Sequence, residues 1–140
     1  MHPFRKAVEE RDEKGIQALL ADDVVFTSPV AFKPYVGKPM TAAILRGVLR
    51  IFEDFRYVRE IHDASGRDHA FVFETGLAGA PGVKITGCDF LHFNEDGLID
   101  DFMVMVRPLS GAKALSEAMG AQFERIQQDA LELAGEFATA

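Results

Sequence analysis

The 140-residue chain has one cysteine and no tryptophan. A lone thiol, Cys88, closes no intramolecular disulfide, so the fold must rest on its core, and such cysteine usage fits a reducing compartment. Positive charge is scarce: 15 Lys and Arg against 22 Asp and Glu give −7. With that balance and no basic run, neither nucleic acid nor an anionic membrane is an expected partner. No uncharged apolar stretch approaches the roughly 18 residues of a membrane span. The start, Met1-His2-Pro3-Phe4-Arg5-Lys6, meets charge at once and has no apolar signal region, so a cytoplasmic location is expected. There is no His-Glu-X-X-His and no paired-cysteine spacing, so no metal site is expected, and nothing visible requires a cofactor. The glycines between Gly76 and Gly82 lie between strands rather than before a helix, which makes a hairpin and not a phosphate cradle.

What is present is enough for a core. The chain is 48% hydrophobic with twelve phenylalanines, and one domain of this length buries roughly two-thirds of its unfolded surface. Phe4, Ala7 and Val8 recur at helical spacing, and Gly15 is expected to break this start into two helices, with Asp12 capping the second. Val24–Ser28 is β-branched and aromatic and stops at Pro29. A loop with Pro34, Gly37 and Pro39 leads to a helix from Met40 to about Phe52, with the stripe Ile44, Leu45, Val48, Leu49 and Phe52. Strands follow at Phe55–Ile61, Ala70–Leu77, Val83–Phe93 and Leu98–Val106, with an Asp-Gly hairpin signal at Asp96-Gly97. From Leu109 a heptad-like stripe of Leu115, Met119, Phe123, Ile126, Ala130, Leu133 and Phe137 predicts one further helix. The order is α+β, with helices gathered on one face of a curved sheet.

This order resembles the SnoaL-like, or nuclear-transport-factor-two-like, superfamily. The motifs that carry the resemblance are Leu19-Leu20-Ala21-Asp22-Asp23-Val24-Val25-Phe26, then Pro29 and Gly37 before a helix, then Asp89-Phe90-Leu91-His92-Phe93 leading to Gly97 and Ile99. Met103 to Leu109 looks like one uncharacterised subgroup. The resemblance implies a cone: a curved antiparallel sheet with N-terminal helices packed on its concave face, here plus an additional C-terminal helix. It makes residues 1–140 a single domain, with a core over 3–108 and a helical extension over 109–138. Members include isomerases, cyclases, dehydratases, epoxide hydrolases and non-catalytic binding domains, so the fold implies no single reaction. In ketosteroid isomerase, a tyrosine on the first helix corresponds to Phe4 here, and the base aspartate before the strand-ending proline corresponds to Ser28. Only its second aspartate is matched, by Asp89. Ketosteroid isomerisation is therefore not expected.

Strand alternation supplies the expected pocket. Asp89 interrupts an apolar strand; it is either a neutral acid or general base for a ligand, or a structural carboxylate. Tyr57 is its candidate catalytic partner. Tyr57 and Arg59 share a face of their strand, where Arg59 either neutralises Asp89 or a ligand carboxylate, or simply snorkels. Phe4, Ser28, Phe32, Phe73, Thr75, Asp100, Phe102 and Val104 complete the expected substrate-binding set. Such a lining suits an apolar small molecule oriented by one or two hydrogen bonds. The expected function is binding of a small ligand, with acid–base chemistry on an oxygenated molecule as one reading and a non-catalytic ligand-binding or interaction module as the other. The outer sheet face, with Phe90, Met103 and Met105, is expected to pair two copies as a homodimer.

Overall fold

A computed structural model describes residues 1–139. The elements run α1 (Pro3–Glu9), α2 (Glu13–Ala18), β1 (Leu20–Thr27), β2 (Tyr35–Val36), α3 (Lys38–Ile51), β3 (Phe52–His62), β4 (Asp68–Leu77), β5 (Ala80–Phe93), β6 (Ile99–Arg107), α4 (Leu109–Ala121) and α5 (Phe123–Thr139). The six strands form one curved, unclosed sheet in the order β2-β1-β6-β5-β4-β3. It is antiparallel except at β1–β6, which run parallel. The long strands β3, β4 and β5 follow one another through tight turns, and their inner face carries Phe52, Phe55, Phe71, Phe73 and Phe93. Phe4, Phe71, Phe73 and Phe102 are almost wholly buried, and Val24, Ile85, Ile99, Ile126 and Leu133 share the same core.

The break between α1 and α2 does not fall at Gly15. It falls at Arg11, which adopts a positive φ of 53°, while Gly15 sits inside α2 and donates its N–H to Asp12 Oδ1 at 3.0 Å. Asp12 is the N-cap of α2, so the expected capping residue is in place. The strain at Arg11 has a use: its guanidinium donates to Leu49 O at 2.6 Å and Phe52 O at 3.0 Å. A cation there satisfies carbonyls that the end of α3 leaves without helical partners.

The C-terminal segment is two helices rather than one. The chain turns at Gln122, whose side-chain amide donates to Gly47 O of α3 at 2.8 Å, and α5 then lies back along α3. The turn removes Phe123 from the stripe, leaving it 38% exposed, while Leu115, Ile126 and Leu133 stay buried. Close approach is set at Gly47, where a Cβ would stand 2.9 Å from Ile126 Cδ1. Beside this contact Asp129 receives Arg50 Nη2 at 2.5 Å and Arg46 Nη1 at 3.4 Å. Burial pushes the Asp129 carboxyl up, but the two guanidiniums outweigh it and hold it below the ordinary carboxylate range. The extension therefore packs on its own α3.

Ile126→Ala should lower stability by about 2–5 kcal/mol, the usual cost of emptying a packed core site. Leu131→Ala, on the same helix but 76% exposed, should stay within about 0.5 kcal/mol of the parent. Urea denaturation of the two variants checks this; equal losses would mean that α5 is not anchored through the Ile126 face.

Candidate functional site

Two bulges in β3 decide which side chains face inward. Between Glu53 and Arg56 the register with β4 slips, and Asp54 takes a positive φ of 53°. The slip lets Phe52, Phe55 and Tyr57 all turn toward the concave side, which a strict two-residue alternation would not allow. A second slip follows between Tyr57 and Arg59. It inverts the phase, so Arg59 pairs with Val72 and is exposed on the outer face. Glu60, not Arg59, comes to the inner side beside α1.

Opposite Tyr57, Asp89 sits in the middle of β5 between Phe71 of β4 and Val104 of β6. The Tyr57 hydroxyl donates to Asp89 Oδ2 at 2.6 Å. Asp89 is only 6% exposed, and its other carboxyl oxygen makes no protein hydrogen bond among the described residues. Burial pushes the Asp89 carboxyl up to about 7, with the Tyr57 hydrogen bond pulling the other way. Burial and then the nearby Asp89 carboxylate raise Tyr57 well above the ordinary phenol value, so it remains a donor.

The pair opens on a cavity of about 70 Å³ between the sheet and α3. Of its lining side chains among the described residues, only Tyr57 and Asp89 are polar. Phe4 of α1 and Phe73 of β4 form part of the wall, and Leu45, Val48 and Leu49 of α3 form the side toward solvent. Phe73 lies over Gly87, where a Cβ would meet its ring at 2.2 Å. Glycine at 87 therefore keeps that ring out of the cavity.

The backbone of Tyr57 is gripped from outside the sheet. β3 is an edge strand, so one side of its backbone lacks a strand partner. Two α1 side chains supply it: Glu9 Oε2 accepts the Tyr57 N–H at 3.3 Å, and Arg5 Nη2 donates to Tyr57 O at 3.2 Å. Arg5 is itself held by Glu9 at 3.2 Å and Glu60 at 2.6 Å.

The structure brings Phe4, Tyr57, Phe73, Asp89, Phe102 and Val104 together around the cavity. It places the other expected residues elsewhere. Ser28 is beside the rim, but its hydroxyl accepts the Val30 N–H at 3.1 Å and so closes a local turn. Phe32 is 99% exposed at the tip of the following loop. Thr75 is buried one register step beyond the cavity, with its hydroxyl turned to the Glu53 and Gly76 carbonyls. Asp100 falls in a bulge between β5 and β6 and turns to the outer face, where it meets His92 Nδ1 at 2.7 Å. Arg59 is outward for the reason already given. Cys88 is half-buried on the outer face, where burial raises its thiol pKa, and it has no activating partner. The α3 contribution was readable as a helix stripe but reads equally as core; Arg5 and Glu9 left no signal, because their partner is a backbone.

Comparison with known proteins places this geometry. The SnoaL-like domain family matches residues 2–102. A steroid delta-isomerase from Pseudomonas aeruginosa is similar in structure, with a TM-score of 0.80 and 40% identity over 89% of each chain. A conserved bacterial protein with a cystatin-like fold from Silicibacter pomeroyi has a TM-score of 0.77 and 37% identity, covering 86% of this chain and 82% of its own. An NTF2-like protein from Burkholderia xenovorans shares the fold at 18% identity, with a TM-score of 0.63 over 80% of this chain and 89% of its own. No curated protein matches the sequence. The chain belongs to the SnoaL-like family.

The raised Asp89 carboxyl carries a sign for stability. Native Asp89 holds its proton to higher pH than the unfolded chain does, so this group costs stability as pH rises from about 4 to about 7. Asp89→Asn keeps an acceptor for Tyr57 and has no charge to bury. Its stability relative to the parent should improve steadily over that range and level off above it. Thermal melts across pH check this; a pH-independent difference would mean that Asp89 titrates normally.

Proposed function

We propose that this SnoaL-like chain binds a compact, largely apolar molecule in its cone and addresses one oxygen of that molecule through Asp89 and Tyr57. The single observation that carries the reading is the Tyr57–Asp89 hydrogen bond of 2.6 Å set in an otherwise apolar lining. A carboxyl that titrates near neutrality can present either form. Neutral, it donates from the free oxygen to a ligand carbonyl or hydroxyl; ionised, it accepts a proton from an acidic carbon or hydroxyl. Tyr57 stabilises the ionised form by its hydrogen bond and orients the carboxyl.

The similarity to a steroid delta-isomerase makes isomerisation of an enolisable ketone the natural reaction to test. Two features argue against a ketosteroid as the substrate. A cavity of about 70 Å³ lies well below the roughly 300 Å³ at which drug-sized pockets begin. Among the described residues Asp89 is the only carboxylate in the lining, so one group would serve both as base and as acid. The same two features favour the second reading, a binding module without catalysis. We also propose a homodimer through the outer sheet face, where Met105 is 55% exposed and Phe90, opposite Met103 on the neighbouring strand, is 37% exposed.

Carvone, cyclohexenone and a β,γ-unsaturated ketosteroid separate these readings. The monocyclic ketones should bind and perturb the tyrosine spectrum, binding should weaken about tenfold or more in Tyr57→Phe, and the steroid should not be turned over. Steroid isomerisation abolished in Asp89→Asn would replace the compact-ligand reading with the isomerase; no binding of any ketone would remove the ligand reading altogether. Sedimentation equilibrium showing only monomer at micromolar concentration would remove the dimer.

A further inference from the structure

A second polar cluster lies outside the cavity, at the turn between β3 and β4. His62, the last residue of β3, and His69, near the start of β4, are register partners across that turn. Their Nδ1 atoms point head-on at each other at 2.6 Å, with the ring centroids 4.8 Å apart, which is the geometry of one hydrogen bond running between the rings. The other nitrogen of each ring is committed. His69 Nε2 stands 2.8 Å from Gly66 O, and a carbonyl only accepts, so this nitrogen carries a hydrogen. His62 Nε2 stands 3.1 Å from Glu60 Oε1. Arg5 Nη1, 2.6 Å from the other oxygen, keeps that carboxylate ionised, so His62 Nε2 carries a hydrogen too.

Counting hydrogens gives the charge. The bonds at the two Nε2 atoms and the bond between the Nδ1 atoms each need a ring hydrogen, and two neutral imidazoles bring one each. Changing either tautomer to supply the missing one would turn a bare Nε2 toward Glu60 or the Gly66 carbonyl. The pair therefore holds a proton beyond neutrality. Its surroundings suit a cation: Glu60 of β3, Asp63 of the turn, Asp68 of β4 and Asp101 of β6 stand around it. Of the positive groups nearby, Arg5 is spent on Glu60 and Glu9, and His92 of β5 on Asp100. Arg67 of the turn lies beside His69, and the Met1 amino group beside His2. His2 is the neutral member of the cluster: its Nδ1 accepts the Phe4 N–H at 3.0 Å as the cap of α1. Burial, and then charge on His69 and His62, holds His2 below the ordinary histidine value.

We propose that the His62–His69 pair is a pH-sensitive latch, in which one proton shared between the rings ties the β3–β4 turn to α1 and, through α1, sets the backbone of Tyr57. The tie is a continuous chain. His62 donates to one oxygen of Glu60, Arg5 donates to the other, and the same guanidinium donates to Tyr57 O at 3.2 Å. Loss of the shared proton leaves two Nδ1 lone pairs opposed, so a ring must turn, and His62 comes off Glu60. The effect on stability has two sides. Unfolded, the two rings hold two protons well below about pH 6.5 and none well above it, whereas the latched pair holds one. Its contribution is therefore greatest near that pH. It falls toward acid, where a second proton breaks the shared bond, and toward alkali, where the shared proton leaves to water.

The test uses the full chain, isotopically labelled at the histidine nitrogens. Near the midpoint pH, NMR should show one far-downfield proton coupled to both Nδ1 nuclei, with both Nε2 atoms protonated. As pH rises, both rings should lose that proton in a single step. Protection of the Tyr57 amide against hydrogen exchange should fall about tenfold in the same step. Glu60→Gln keeps an acceptor but removes the charge, and should move the step to lower pH. A double-mutant cycle of His62→Gln and His69→Gln should give a coupling of about tenfold or more in the folding equilibrium near the midpoint, shrinking on both sides. His92→Gln should leave the shared proton in place; circular dichroism confirms that each variant is folded. Rings that titrate independently, or a bare Nε2 on either ring at the midpoint, overturn the shared proton. Tyr57 protection that does not change as the proton leaves overturns the latch, and so does a coupling that is the same at every pH.

Discussion

One carboxyl buried in a wall of aromatic rings constrains the rest of this structure. An ionised carboxylate away from water is costly, and the cost is met by a partner, by a proton, or by unfolding. Asp89 has the first two within reach. Tyr57 supplies the partner at 2.6 Å, and a carboxyl pushed up to about 7 keeps a proton for much of the physiological range. Everything that fixes Tyr57 therefore also fixes the electrostatics of the cavity. This is the sense in which α1 belongs to the site: Arg5 and Glu9 hold the two backbone groups that the edge strand leaves without a partner.

The helical layer serves the same constraint from the other side. The cavity stays apolar because α3 presents leucine and valine toward it, and α3 is held by a glycine-sized approach to α5 at Gly47. Arg50, Arg46 and Asp129 lock that approach with charge. A half-buried ion pair of this kind contributes little by attraction alone. Its value here is registration: Gly47, Ile126 and Gln122 meet only if α5 is set at one rotation and one height on α3.

The fold was legible because its signals are local and redundant. Strand and helix periods, the Asp-Gly turn and the proline stops agree with the observed order up to Arg107 apart from β2, two residues inside the expected loop, and Asp89 was conspicuous as one carboxyl in an apolar strand. Two of the misplaced side chains, Arg59 and Asp100, have a common physical cause. Alternation assigns faces correctly until a bulge inserts an extra residue, after which every later side chain is inverted. Arg59 follows the bulge at Tyr57 and leaves the inner face; Asp100 lies in the bulge before Phe102 and leaves it too. Residues upstream of the bulges, or on the unbulged middle of β4 and β5, were placed on the correct face. The single C-terminal helix failed differently. A heptad stripe runs on through Gln122, and nothing local marks the turn, because what fixes that turn is a hydrogen bond to α3, 75 residues away in sequence.

The bulges also explain why the two ends of one concave face have different chemistry. Without the slip at Tyr57, the phase of β3 would bring Arg59 inward and direct a guanidinium at Asp89, giving a salt bridge in which the acid is ionised at every physiological pH. With the slip, Glu60 comes inward instead, pairs with Arg5, and leaves Asp89 hydrogen-bonded to the neutral Tyr57 phenol. The same slip sets His62 opposite His69 and places Glu60 behind it. A single inserted residue in an edge strand thus determines both that the carboxyl stays near neutrality and that two imidazoles meet at the turn. An edge strand tolerates such an insertion because only one side of its ladder must be satisfied by another strand. On the free side, α1 supplies the missing hydrogen bonds, and His2 caps that helix beside the paired histidines. The helix therefore links the two ends: its first residues lie against the histidines and its middle and last residues hold Tyr57.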